Sequence, residues 1–140
     1  MLIIYIVIFL GILPSIFVLI KRNKIKTIQS YYPMIFLVAF GSIYEYLFTI
    51  MLKINSEYWF RFYDLISFLL ISYYFKSILE KNNHKFIYIA TIIYSLFYTF
   101  LFLFWNRNIN LDTGSYLNAL QTVFIFIFFI FWFFNIFKNL

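Results

Sequence analysis

Three ionisable side chains lie inside otherwise apolar stretches of the 140-residue sequence, namely Glu45, Arg61 and Asp64. Two carboxylates that share a site resist double ionisation, so one of them tends to hold a proton. An arginine beside them can bridge both through its forked guanidinium donors. The three residues carry one net negative charge, which a single proton or cation would neutralise. These residue types therefore indicate either proton or cation binding, or charge pairing that locks two helices together.

The spacing of the three residues predicts that they meet. The short segment 53–56 joins two apolar stretches into an antiparallel hairpin. Glu45 and Asp64 each lie seven residues from the hairpin end of their stretch, which is about 10 Å at a rise of about 1.5 Å per residue. We therefore expect the two carboxylates at one depth. Arg61 lies one helical turn nearer the hairpin end, on the same face as Asp64.

Neighbouring polar side chains extend the expected site. Ser42 and Thr49 share a helical face with Glu45, because these residues are spaced three and four apart. Asn118 and Gln121 enter the last apolar stretch from the same side of the membrane. The predicted intramembrane polar site therefore consists of Glu45, Arg61, Asp64, Ser42, Thr49, Asn118 and Gln121. Interhelical glue is the other interpretation of this set, since polar side chains also hold membrane helices together.

The elements that must position these residues follow from the composition. Hydrophobic residues make up 65% of the chain, aromatic residues 27% and charged residues 11%, whereas soluble domains are roughly half apolar and a quarter charged. This balance excludes a soluble enzyme, a disordered chain and a secreted disulfide scaffold. Five apolar stretches have the length of about 20 residues that crosses a bilayer, at 2–20, 31–52, 57–79, 86–105 and 115–137. The predicted fold class is all-α, a single integral membrane domain over residues 1–140 with five transmembrane helices.

Lysine and arginine residues set the predicted orientation, because cytoplasmic loops carry more of them. Lys53, Arg61 and Arg107 fall on one side of the membrane. The other eight fall on the opposite side: Lys21, Arg22, Lys24, Lys26, Lys76, Lys81, Lys85 and Lys138. We therefore expect a multi-pass protein of the inner cell membrane, embedded in the lipid bilayer, with its N-terminus outside and its C-terminus in the cytoplasm. The net charge of +6 is then explained without a nucleic-acid partner.

Absent residue types limit the enzyme chemistry that the chain can perform. It has no cysteine and one histidine, His84, so thiol catalysis and a haem held by two histidines of one copy are excluded. Zinc-ligand sets and the repeated aspartate motifs of lipid-transferring enzymes are missing as well. We predict no catalytic residue, no metal and no cofactor. A lipid-handling enzyme that uses the carboxylates is the last of the functions considered.

A segment of about two helices carries a resemblance to known proteins. Residues 55–75 are NSEYWFRFYDLISFLLISYYF, and this stretch resembles a segment of small uncharacterised polytopic bacterial membrane proteins. In those proteins an asparagine-containing outer loop leads into an aromatic-rich helix, and the preceding helix carries a glutamate comparable to Glu45. They often have a glutamate nearer the helix middle, where this chain has Ser67. The resemblance implies a structural class and no activity.

Two function classes follow from these observations. The first is a non-catalytic polytopic membrane module, which would be a scaffold, a sensor or an accessory subunit with a buried polar triad in the outer half of the membrane. The second is an oligomeric transporter or pore for ions, protons or small solutes, including a membrane-disrupting effector. The expected partner is accordingly a second copy of the chain or another membrane protein.

Overall fold

The computed structural model describes residues 2–20, 26–55, 57–104 and 110–138. The regular elements among these residues are helices, and no strand occurs there. The helices are α1 (Leu2–Ile20), α2 (Lys26–Gln29), α3 (Tyr32–Tyr44), α4 (Glu57–Ile78), α5 (Lys81–Leu103) and α6 (Asn110–Lys138). A π-helical segment, Glu45–Met51, directly continues α3. The all-helical prediction is confirmed.

Three helices within the described residues are long and apolar enough to cross a membrane: Tyr32–Met51, Lys81–Leu103 and Gly114–Lys138. Residues Tyr5–Ile20 of α1 form a shorter apolar helix. The helix α4 is long enough, but it carries four charged residues, which are Glu57, Arg61, Asp64 and Lys76. The helices therefore have the length and apolarity of a membrane protein, whereas the number of five spans stays a prediction.

The observed helices are longer than the predicted apolar stretches where polar residues continue the helix. The helix α1 coincides with the predicted stretch 2–20. The helix α5 begins earlier than predicted, at Lys81, directly after Glu80 in an extended conformation (φ −60°, ψ 150°). His84 precedes the predicted stretch 86–105 and lies in the first turn of α5, with Nε2 3.1 Å from the carbonyl oxygen of Leu79. Hydropathy marks the part of a helix that suits hydrocarbon, and helices extend beyond it.

The described helices form two compact units, Met1–Leu70 and Ile71–Leu140, and the boundary falls within α4. In the first unit α1 packs against α3 and the π segment. Tyr5 meets Tyr46 edge to face with ring centroids 5.9 Å apart, while Pro14 and Tyr31 line a common cavity of about 260 Å³ at the opposite end. The two helices are therefore antiparallel.

Small residues allow this close contact between α1 and α3. A Cβ atom added at Gly11 would overlap the hydroxyl oxygen of Ser42. Membrane helices use such small residues because their backbones can then approach closely without a hydrophobic driving force from water. Ser42 satisfies its hydroxyl within its own helix, by donating to the carbonyl oxygen of Val38 at 3.0 Å.

In the second unit α5 and α6 form an antiparallel pair. The Tyr94 hydroxyl donates to Oε1 of Gln121 at 3.3 Å, and the Tyr94 ring is fully buried. Nearer the turn after α4, Phe86 contacts Phe131 edge to face at 5.1 Å. At the far end of α6, Lys138 Nζ lies 3.6 Å from a carboxylate oxygen of Glu80.

Four of the cations that determine the predicted orientation lie outside the described residues: Lys21, Arg22, Lys24 and Arg107. The orientation of the chain in the membrane therefore stays a prediction.

The contact at Gly11 yields a stability prediction with an internal control. Gly11→Ala should lower the free energy of unfolding by about 1–3 kcal/mol, because the added methyl group forces α1 away from Ser42. Gly114→Ala is the matched control, since a Cβ atom there meets nothing within 4 Å. The measurement is unfolding of the purified protein in mixed micelles as the fraction of sodium dodecyl sulfate rises.

A second substitution makes this prediction specific. Ser42→Gly should restore stability in the Gly11→Ala background, because it removes the atoms that the new methyl group meets. Equal stability of Gly11→Ala and Gly114→Ala would show that the two helices do not depend on this close contact.

Candidate functional site

The helix that carries Glu45 changes its winding at that residue. The backbone N–H of Glu45 is shared between the carbonyl oxygens of Gly41 and Ser42. At the other end of the segment, the Leu52 N–H donates to the Leu47 carbonyl oxygen at 3.1 Å, five residues back. Wide π turns are rare and are found frequently at functional sites. The change of winding therefore singles out Glu45.

A cavity of about 220 Å³ lies beside Glu45, between α3 and the start of α4. The carboxylate is the acidic group in its lining, and three aromatic rings form the opposite wall. The lining residues are Val38, Gly41, Ser42, Glu45, Trp59, Phe60 and Tyr63. We refer to this space as the Glu45 cavity.

Helical spacing explains both walls of the Glu45 cavity. Gly41 and Glu45 are four residues apart and share one face of their helix, and Trp59 and Tyr63 have the same spacing on α4. Gly41 permits the close approach of the facing ring, because a Cβ atom there would lie 2.9 Å from Cε2 of Tyr63. Gly41 on α3 thus faces the ring of Tyr63 on α4, and Glu45 lies one helical turn beyond Gly41.

The Glu45 carboxylate makes neither an ion pair nor a hydrogen bond within the part of the chain that the structure describes. The nearby Ser42 hydroxyl donates to the Val38 carbonyl oxygen instead. A charge in low-polarity surroundings is costly without a partner. The cavity therefore offers a negative group whose counter-charge the described residues do not supply.

Neighbouring rings fix the aromatic wall in place. Tyr44 stacks on Trp59 with centroids 4.5 Å apart and an interplanar angle of 24°. Phe40 meets Trp59 edge to face at 5.3 Å, and Tyr63 does so at 6.2 Å. Such offset and edge-on geometries are the favourable ones for aromatic pairs. The indole ring is consequently held in one orientation beside the cavity.

Arg61 and Asp64 of α4 are not among the residues that line the cavity. Arg61 is 6% exposed and Phe68, seven residues later, is fully buried, so both belong to the buried face of the helix. Asp64 falls between them at helical spacing and interacts electrostatically with Arg61. Its backbone carbonyl oxygen accepts a hydrogen bond from the Ser67 hydroxyl at 2.9 Å.

The structure therefore brings two of the three expected residues together and places the third elsewhere. Gly41 lies against Tyr63, so Asp64 lies close to the level of Phe40. Glu45 is five residues beyond Phe40, which is about 7 Å along the helix. The equal depth expected for Glu45 and Asp64 is not observed.

The connection between the helices explains this difference in depth. After the π segment, Lys53 adopts a left-handed conformation with φ 53°. The Ile54 N–H then donates back to the Phe48 carbonyl oxygen at 2.9 Å. The chain thus folds back along the π segment before α4 begins, so the two arms of the hairpin are unequal, whereas the prediction assumed equal arms.

The remaining expected residues occupy other places. Thr49 lies within the π segment, half-buried and outside the cavity lining. Asn118 and Gln121 belong to the second compact unit. There the Asn118 side chain is exposed, and Gln121 accepts the hydrogen bond from Tyr94.

The sequence prediction missed the aromatic wall. Tryptophan near a helix end is commonly found at the lipid headgroups, and this habit conceals the place of Trp59 in the cavity lining. One sequence pattern could have indicated this wall. Gly41 and Glu45 are four residues apart on one helix, and Trp59 and Tyr63 have the same spacing at the start of the next. Among the described residues, no three histidine, aspartate or glutamate side chains come together as metal ligands.

Comparison with protein-family models, with curated proteins and with solved structures gives no match to this chain. The resemblance of residues 55–75 to small bacterial membrane proteins stays a prediction. The function must accordingly be argued from the geometry of the Glu45 cavity.

Double-mutant cycles test the separation of the two carboxylates. Glu45→Gln and Arg61→Gln should change the free energy of unfolding additively to within about 0.5 kcal/mol, because Glu45 lies on the π segment and lines the cavity whereas Arg61 lies on α4 outside that lining. Asp64→Asn and Arg61→Gln should couple by about 0.5–3 kcal/mol, because these side chains interact. Both cycles use unfolding in mixed micelles, and a strong coupling of Glu45 with Arg61 would contradict the assignment.

Proposed function

We propose that this chain is a non-catalytic, multi-pass membrane module, of the sensor or accessory-subunit kind, that receives a ligand at the Glu45 cavity. The observation that carries the proposal is the Glu45 carboxylate, which lines a cavity of about 220 Å³ beside three aromatic rings. It does so without an ion pair or a hydrogen bond among the described residues.

The contacts within the first unit favour a ligand site over interhelical glue. Helix packing there already rests on Gly11 against Ser42 and on Gly41 against Tyr63. Arg61 and Asp64 interact electrostatically on α4, where Arg61 is buried. Glu45 makes no hydrogen bond or ion pair to another helix among the described residues, so a purely structural role leaves the cost of its charge unexplained.

The cavity also favours a non-catalytic role. Nucleophilic catalysis needs a hydroxyl or thiol activated by an adjacent base. In the Glu45 cavity the available hydroxyls are those of Ser42, which donates to its own helix, and of Tyr63. The arrangement is suited to binding a group and less suited to breaking a bond in it.

Five transmembrane spans with an outer N-terminus belong to this proposal. Three helices have the apolarity of spans on their own, and α1 packs antiparallel along one of them. The helix α4 turns Arg61 toward its buried side, which is how membrane helices accommodate charges. With this topology the Glu45 cavity lies in the outer half of the inner membrane.

Transport by an oligomer is the second candidate, and one observation favours it. An ionisable carboxylate that lines a cavity at membrane depth is what a proton or ion relay requires. Five helices are few for a wide path, so we place transport in an assembly of several copies of the chain.

Single cysteines test the topology cleanly, because the chain has none of its own. Asn55→Cys should react with a membrane-impermeant maleimide added outside intact cells. Asn82→Cys, near the start of α5, should react only after permeabilisation, because α4 separates the two positions. Equal reactivity of both positions in intact cells would show that α4 does not span.

Flux measurements separate the module from the transporter. Liposomes that contain the purified protein should show proton and potassium permeability equal to that of empty liposomes, because a ligand-binding module needs no continuous path. Glu45→Gln should leave that permeability unchanged. A flux that appears with the protein and disappears in Glu45→Gln would replace the proposal by the transport alternative.

A further inference from the structure

We infer that the Glu45 cavity binds a monovalent organic ammonium group, held between the Glu45 carboxylate and the rings of Trp59 and Tyr63. This inference rests on the proposed function and names the ligand class of the same cavity. The ammonium group is that of a free small amine or of a lipid headgroup, since both present the same chemistry.

The charge of the ligand follows from the cavity lining. Glu45 brings one negative charge, and no described residue pairs with it. A ligand with one positive charge neutralises the cavity, so that neither partner stays uncompensated in low-polarity surroundings.

The aromatic wall selects an organic cation over a metal ion. Calcium and magnesium require about six oxygen ligands, whereas this cavity offers one carboxylate and few further oxygens. Aromatic faces attract an alkylated ammonium group within about 6 Å of the ring centroid, and tryptophan does so best. Trp59, Phe60 and Tyr63 line the cavity together with the carboxylate.

The rigidity of the wall increases the expected affinity. Tyr44 stacks on Trp59 and Phe40 supports its edge, so the indole does not need to be ordered when a ligand arrives. Binding to a preorganised site avoids the entropy cost of fixing side chains.

The size of the cavity limits the ligand to a small group. Sites for drug-sized molecules usually exceed about 300 Å³, and the Glu45 cavity has about 220 Å³. A trimethylammonium or primary ammonium group with a short alkyl arm has suitable dimensions. Phe60 is 46% exposed, so a longer molecule can leave the cavity along this ring.

Trp59 fluorescence provides the test. The experiment uses the full chain with the substitutions Trp105→Phe and Trp132→Phe, which leave Trp59 as its single tryptophan. The protein is placed in nanodiscs of phosphatidylglycerol. Choline chloride should change the emission saturably. The neutral isostere 3,3-dimethylbutan-1-ol should not, because it lacks the charge.

Matched variants assign the binding to the cavity. Glu45→Gln should weaken choline binding by about tenfold or more, because the negative charge that attracts the trimethylammonium group is lost. Glu80→Gln, at the glutamate that pairs with Lys138, should leave it unchanged. Tyr63→Leu should also weaken binding while the carboxylate is intact, which keeps the test valid if Glu45→Gln fails to fold.

A second set of nanodiscs with different lipids identifies the source of the ammonium group. Nanodiscs that also contain phosphatidylcholine or phosphatidylethanolamine should reduce the apparent affinity for choline if a headgroup occupies the cavity. An unchanged affinity assigns the cavity to a free amine. Either result supports the ammonium class.

Three outcomes would overturn the inference: no saturable choline effect, equal binding of the neutral isostere, or unchanged affinity in both Glu45→Gln and Tyr63→Leu. Acrylamide quenching separates this failure from failure of the proposed function. If acrylamide reaches Trp59 in the folded protein and choline does not bind, the ligand class alone is wrong. If acrylamide does not reach Trp59, the open cavity and the proposed function fail together.

Discussion

A charged side chain at membrane depth requires a counter-charge, and this requirement organises the first unit of the chain. Asp64 interacts electrostatically with Arg61, which is buried on α4. Glu45 does not meet this requirement with any described residue. The two carboxylates therefore differ in their surroundings: Asp64 has a cation nearby, and Glu45 has none among the described residues. We propose that this difference leaves Glu45 available to a ligand.

The π segment is the local feature that separates these roles. Its winding begins at Glu45 and is followed by the left-handed residue Lys53 and the return hydrogen bond from Ile54 to Phe48. The arm of the hairpin that carries Glu45 therefore extends beyond the start of α4. Glu45 lies beside Trp59 as a consequence, and the rings at the beginning of α4 become the wall of a cavity.

Much of the fold follows from hydropathy, and the site follows only in part. The bounds of α1 could be predicted because apolar residues fill it from end to end, whereas the start of α5 could not, because Lys81 is polar and still helical. Glu45 was recognised from its cost in an apolar stretch. Its separation from Arg61 was not predicted, because the argument from residue spacing assumes uniform α-helical winding. The residue types from Glu45 to Met51 do not indicate a π turn.

Ser42 belongs to two contacts at once. One side of this residue receives Gly11 of the neighbouring helix, and it also lines the Glu45 cavity. Any larger side chain there would alter the cavity and push α1 away at the same time. The shape of the α3 wall can therefore change only at the expense of helix packing. Phe60 on the opposite wall is 46% exposed, so the cavity should tolerate substitution there more readily than at Ser42.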